Sequence, residues 1–198
     1  LIMKNIKEIF IIAGPNGAGK TTFALDLIDA GIISHYLNAD DIAREISPAD
    51  PQKANVKAAR IFLKRLKQLS IGDESFAFET TLSGLRYMEH IKSWQKEGWM
   101  VSVFYLLVSS PEISKQRVAE RVVHGGHSIP SEDIERRFPK SLLNFYQHYA
   151  KQVNYAECLY NENQEPVSIF EVERGRLTVK ETELYSYFME LIEHAESR

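Results

Sequence analysis

Nine consecutive residues constrain this chain more than any other stretch. Gly14-Pro15-Asn16-Gly17-Ala18-Gly19-Lys20-Thr21-Thr22 completes the pattern GxxxxGK[ST] and follows directly on the run Glu8-Ile9-Phe10-Ile11-Ile12-Ala13. Phosphate oxygens need several backbone N–H groups converging on them, and only residues with little or no side chain let a chain curl that tightly. Behind the loop, Thr21 to Ile28 carries helical spacing, so the loop opens a helix whose positive end points at the anion. A strand before the loop and a helix after it separate this arrangement from an ordinary glycine turn. The nine residues are therefore expected to bind ATP, with Lys20 reaching the β and γ phosphates and the Thr21 hydroxyl ligating Mg²⁺.

Strand-like and helix-like segments alternate along most of the chain, which predicts an α/β fold: a three-layer parallel sheet with helices on both faces, of the P-loop NTPase and kinase type. Expected strands lie at 8–13, 35–37, 75–81, 100–108, 155–160, 167–173 and 177–179, with the most apolar, 100–108, central. The intervening helices include a short one over 42–46 and a long one over about 52–69, with Val56, Ala59, Phe62, Leu63, Leu66 and Leu69 on its apolar side. The 198 residues read as one domain, 1–198, with 112–150 as a candidate lid or helical insertion. A net charge of −3 without a basic stripe gives no attraction to nucleic acid or to a membrane surface. The longest apolar runs are too short to span a bilayer. The single cysteine, Cys158, forms no internal disulfide and fits a reducing cytoplasm.

Phosphoryl transfer to a hydroxyl needs donor, acceptor and metal held in line, charge neutralised, and a place for the hydroxyl proton. The strand over 100–108 ends in Ser109-Ser110, so an acid to accompany Mg²⁺ has to come from Asp40, Asp41 or Glu79. Asp40, on a strand expected beside the loop strand, is the first choice for proton acceptor. Asp41 is the reserve, and the pair also suits the cap of the helix that follows. Glu79 and Thr81 share a side by two-residue alternation and could orient a polyhydroxylated substrate. Arg117 and Arg121, four apart on one helix, could swing onto the transferring phosphate, and Arg136 and Arg137 form a second such pair. His127, between Gly125-Gly126 and Pro130, could close over a ligand.

The blocks Gly14 to Thr22, Asn38-Ala39-Asp40, Phe78-Glu79-Thr80-Thr81-Leu82-Ser83, Arg117-Val118-Ala119-Glu120-Arg121-Val122 and Gly125-Gly126-His127-Ser128-Ile129-Pro130 together resemble the zeta-toxin family, in its compact chromosomal branch. The resemblance runs from about Ile9 to Asn163. It implies an ATP-dependent kinase that moves the γ-phosphate to a small-molecule hydroxyl, the sugar of UDP-N-acetylglucosamine in better-known members, and an antitoxin protein as partner. Carried over by position, Lys20 and Thr21 serve ATP and Mg²⁺, Asp40 is the base, and Glu79 and Thr81 hold the sugar. Arg121 matches a transition-state arginine, while the second falls to His127, Arg136 or Arg137. A kinase for another metabolite or antibiotic, and a nucleotide-binding switch or partner-binding module without turnover, are the alternatives.

Overall fold

In β1 (Glu8–Ala13) every residue after Glu8 is buried, and a strand apolar on both faces must be covered on both. The computed structural model, which describes residues 6–126, 128–162 and 165–197, shows how. β1 lies between β3 (Phe76–Thr80) and β4 (Met100–Leu107), parallel to both, with Ile12 opposite Glu79 on one side and Phe104 on the other. The seven-stranded sheet has the order β2-β3-β1-β4-β5-β6-β7, so the most apolar strand is indeed central. β2 (His35–Leu37) pairs with β3, not with β1. The strand that delivers Asp40 is thus one place further from the loop strand than expected, and the end of β3 takes the adjacent position.

Five strands, β2, β3, β1, β4 and β5 (Tyr155–Tyr160), run parallel. β6 (Val167–Glu173) and β7 (Arg176–Val179) continue the sheet antiparallel. The reason is local: a parallel crossover needs a dozen or more residues, and the β5–β6 connection is too short. Between β6 and β7, Arg174 and Gly175 both take positive φ, 49° and 81°, the pairing that closes a two-residue hairpin.

The helices are α1 (Lys20–Asp29), α2 (Ala39–Ile46), α3 (Asn55–Ile71), α4 (Met88–Lys96), α5 (Pro111–Val123), α6 (Ser131–Asn144), α7 (Ala150–Gln152) and α8 (Thr182–Glu196). A turn of 3₁₀ helix, Pro51–Ala54, precedes α3, and a π-helical segment, Phe145–Tyr149, links α6 to α7. On one sheet face Ile9, Ile11 and Ala13 pack with Phe62 and Leu66 of α3, Ile91 and Trp94 of α4, Leu142 of α6 and Phe188 of α8. On the other, Phe10 and Ile12 meet Ala24 of α1. Two expectations shift. α2 starts at Ala39 and not at Ile42, because the Asn38 side chain accepts a hydrogen bond from the Asp40 N–H and caps the helix three residues early. In α3 the buried residues are Ala58, Phe62 and Leu66, while Val56 and Leu63 stand 69% and 39% exposed.

Among the described residues no helix is long and apolar enough to cross a membrane. Aromatic packing fastens the antiparallel end of the sheet to the rest: Tyr105 and Phe145 stack at 4.3 Å, and Phe170 meets Phe145, Tyr146, Tyr185 and Phe188 at 5.0–6.3 Å. Phe170→Ala should cost about 3–5 kcal/mol in urea denaturation through the cavity it leaves. Val56→Ala, which the sequence pattern alone would rank as a core change, should cost less than about 0.5 kcal/mol.

Candidate active site

A parallel sheet brings the carboxyl ends of β2, β3 and β1 to one edge, and in open α/β sheets ligands bind there. Gly14 leaves β1 with φ 139°, and a Cβ at that position would come within 2.3 Å of the Leu106 carbonyl oxygen, so the chain passes β4 only without a side chain. Gly19, in left-handed conformation, precedes α1; no side chain caps that helix and no acid occupies its first turn. Its first N–H groups therefore face outward as an anion site. Asn161 fastens the loop from behind, its Nδ2 donating to the Ala18 carbonyl at 2.7 Å.

Lys20 is buried, and its ammonium donates to the Pro15 carbonyl at 2.8 Å. Burial pushes its pKa below the usual lysine value; Glu79 and then Asp40 oppose that push, and Arg121 adds to it. These four charges thus act on one another across a single site. Thr21 Oγ1 donates to Glu79 Oε2 at 2.9 Å. The same oxygen accepts a short hydrogen bond from the Tyr36 hydroxyl and a longer one, 3.3 Å, from Asn38 Nδ2.

Two cavities adjoin the loop. The larger, 500 Å³, is lined by Asn16, Gly17, Lys20, Asn38, Asp40, Glu79, Thr81 and Arg121 on the loop side, and by Gln52, Asn55, Phe62, Arg86 and Arg137 opposite. The smaller, 260 Å³, lies against Thr21, Asp40, Arg44, Arg121 and His124. Asn38, Asp40 and Arg121 border both. Among the described residues Asp40's carboxylate makes no recorded hydrogen bond, in contrast to the triply engaged Glu79 Oε2.

The other expected site residues divide. Thr81 lines the large cavity with its hydroxyl 3.1 Å from that of Ser83. Asp41 pairs with Arg44 and lines neither cavity. Arg121 lines both, whereas Arg117, one turn earlier on α5, donates to the Asn161 carbonyl at 2.7 Å and lines neither. Gly126 makes the Arg121 placement feasible: a Cβ there would lie 2.4 Å from Arg121 Cγ. Arg136 and Arg137 both pair with Asp133, at 2.6 and 3.1 Å; Asp133 and Arg137 line the larger cavity, and Arg136 lines neither. His127 lies outside the described residues.

Three groups escaped the sequence reading. Tyr36 was legible in principle, since alternation along β2 puts it on the same side as Asn38. Arg86, at the far wall of the large cavity, carries no motif around it. The third is a brace on the segment after β3. Leu82 takes φ 52° while almost fully buried, its carbonyl accepts from Asn144 Nδ2 at 2.8 Å, and Tyr149's hydroxyl donates to the Gly84 carbonyl at 2.8 Å. The end of α6 and the π-helical turn thus hold the Thr81 segment in place.

The donor set fits a nucleotide-borne Mg²⁺. No three His, Cys, Asp or Glu side chains converge among the described residues, so a divalent ion would rest on the Thr21 hydroxyl, the neighbouring Glu79 carboxylate and the phosphates themselves. That division suits an ion that keeps waters and binds through one or two carboxylates with substrate phosphates.

The zeta toxin family model matches residues 4–174. An uncharacterized protein of Haemophilus influenzae is 33% identical over 141 residues, covering 69% of this chain and 95% of that protein. Among solved structures, AvrRxo1-ORF1 in complex with ORF2 and ATP superposes with a TM-score of 0.73 at 16% identity over 92% of this chain; this chain spans 63% of that one's length. The PezAT chromosomal toxin–antitoxin system of Streptococcus pneumoniae gives a TM-score of 0.60 at 12% identity, covering 96% of this chain and 87% of that one. At such identities the structural likeness is one of fold.

Lys20 carries a stability cost of its own. Because its pKa is depressed by burial, the unfolded chain binds the proton more tightly, and stability rises with pH between the depressed value and the ordinary 10.5. Lys20→Met should raise the Tm of the ligand-free protein by about 2–4 °C at neutral pH, equivalent to about 1 kcal/mol in a domain this size. The gain should shrink as pH climbs through that window. Thermal melts of both proteins across pH check the sign, and a Tm lowered by the substitution contradicts it.

Proposed function

This chain belongs to the zeta toxin family, a membership that brings with it a kinase-type nucleotide-binding function, and from that premise we propose that it transfers the γ-phosphate of ATP to a hydroxyl of a small molecule. The observation that carries the proposal is the division of labour between two carboxylates in one cavity. Glu79 is taken up by Thr21, Tyr36 and Asn38, while Asp40 lines the same space and its carboxylate makes no hydrogen bond among the described residues. A group held that way is suited to receive a proton, and one engaged like Glu79 is suited to hold its neighbours.

In this reading the loop N–H groups and Lys20 cradle the triphosphate, and the acceptor hydroxyl lies against Asp40. Its oxygen bonds to the γ-phosphorus as the bond to the β,γ-bridging oxygen breaks, its proton passes to the Asp40 carboxylate, and ADP leaves. Lys20 and Arg121 balance charge on the transferring group. Mg²⁺, when bound, would neutralise phosphate charge beside Thr21 and Glu79. α5 and α6, which but for Pro111 fall within 112–150, serve as the lid that carries Arg121 and Arg137 to the cavity.

For the acceptor we favour a UDP-sugar, UDP-N-acetylglucosamine in first place. Gln52, Asn55 and Thr81 offer hydrogen bonds to sugar hydroxyls, and Arg86 and Arg137 offer charge to a diphosphate. The toxin–antitoxin relative extends the proposal to a partner protein that restrains the activity, and the supply of both nucleotides places it in the cytoplasm.

Phosphate transfer from γ-labelled ATP into a panel of UDP-sugars, free sugars and antibiotics tests this directly. Asp40→Asn should lower transfer by about 10²–10⁴ and leave ATP affinity within about twofold. Lys20→Ala should lose both. Full turnover by Asp40→Asn refutes the base assignment, and ATP consumption indifferent to every acceptor refutes the kinase.

A further inference from the structure

Three donors converge on one carboxylate oxygen in this molecule, and one of them belongs to no motif. Glu79 Oε2 accepts from Thr21 Oγ1, Tyr36 Oη and Asn38 Nδ2. Asn38 Nδ2 also lies 3.2 Å from the Tyr36 hydroxyl, and its Oδ1 accepts from the Asp40 N–H at 2.9 Å. One amide therefore ties the Glu79 carboxylate, the Tyr36 phenol and the backbone of Asp40 into a single unit.

We propose that Tyr36 is a positioning residue: its phenol clamps the Glu79 carboxylate against the Thr21 hydroxyl and thereby sets the affinity of the loop for the divalent cation that accompanies the nucleotide. The inference deepens the kinase reading and rests on its nucleotide site. Glu79 ends a strand, and a glutamate side chain has three rotatable bonds to swing through. Without Tyr36 only the Thr21 hydroxyl and the longer contact from Asn38 would hold it. Tyr36 supplies a rigid ring with a single donor, anchored in β2 across from β3, so its oxygen has little freedom to leave. A hydroxyl that ligates a cation through its lone pair must give its own proton elsewhere, and the clamped carboxylate is where Thr21 already gives it. Outer partners that fix a ligand's orientation in this way are worth about 10–100-fold in metal affinity.

The test titrates Mn²⁺ into full-length protein saturated with β,γ-methylene-ATP and reads free Mn²⁺ by electron paramagnetic resonance. Tyr36→Phe keeps the ring and removes only the donor. It should raise the Mn²⁺ dissociation constant about tenfold, while affinity for the analogue measured in EDTA and the melting temperature stay as in the wild type. Glu79→Gln should weaken Mn²⁺ at least as much, and the double variant no more than Glu79→Gln alone, because both act through one oxygen. In transfer assays the half-saturating Mg²⁺ should rise in Tyr36→Phe, with the rate recovered when Mg²⁺ is raised to saturation; a general packing defect would not recover. An unchanged Mn²⁺ constant, or an equal loss of analogue binding in EDTA, overturns the clamp. A wild type that binds the analogue neither in EDTA nor with Mn²⁺ sinks the nucleotide reading and this inference with it, whereas a wild type that binds both ligands beside an unaffected Tyr36→Phe overturns this inference alone.

Discussion

The hydrogen bond from Thr21 to Glu79 joins the first turn of α1 to the end of β3, and the arrangement of the site follows from it. It exists because β3 lies beside β1 in parallel register, Ile12 facing Glu79 and Ala13 facing Thr80. A shift of one residue would turn Glu79 to the opposite sheet face and bring Phe78 to the loop. What forbids that shift is packing: Phe76 and Phe78 are fully buried on the face covered by α3 and α4, against Trp99, Phe62, Tyr87 and Trp94. The hydrophobic effect thus sets the register, and the register delivers the carboxylate.

The same geometry makes the site costly to keep. A buried ammonium, a carboxylate without a hydrogen bond among the described residues and a left-handed leucine are each features a stability-driven sequence would remove. They persist where the fold around them is over-determined. Leu82 is held from two sides, by the amide of Asn144 and by its own N–H on the Thr80 hydroxyl. The π-helical turn that presents Tyr149 to Gly84 is stacked through Phe145 onto Tyr105 in the central strand. The strained segment near the cavity is thereby tied to the aromatic stack on the central strand.

What the sequence made legible was whatever has a short-range physical signature. The loop, its strand and its helix are contiguous, and all stand where the pattern placed them. Asp40 was readable because it leaves the short strand 35–37, though the cap falls on Asn38 and moves the helix start to Ala39. What was not readable depends on neighbours far along the chain. No local pattern tells that β3 inserts between β2 and β1, so the strand next to the loop was assigned to Asp40 when it belongs to Glu79. Val56 and Leu63 fell on the expected apolar side but stand exposed, because the face of α3 that meets the sheet runs through Ala58, Phe62 and Leu66, which only the packing of the helix decides. Arg136 and Arg137 are indistinguishable in sequence, and only the direction in which α6 approaches the cavity selects the second.

The two arginines of α5 show how far equal spacing on a helix is from equal function. Residues four apart share a face, yet Arg117 and Arg121 meet different surroundings because the loop runs past only the first. Gly17 lies against Arg117, where an added Cβ would stand 3.2 Å from the arginine's own, so that side chain passes behind the loop and ends on the Asn161 carbonyl. Asn161 in turn holds the Ala18 carbonyl, so Arg117 supports the cradle from outside. Arg121, beyond the loop and opposite the bare backbone of Gly126, reaches across to the boundary of both cavities. One arginine braces the loop from outside and the other borders both cavities, and what separates their surroundings is where two glycines let a side chain through.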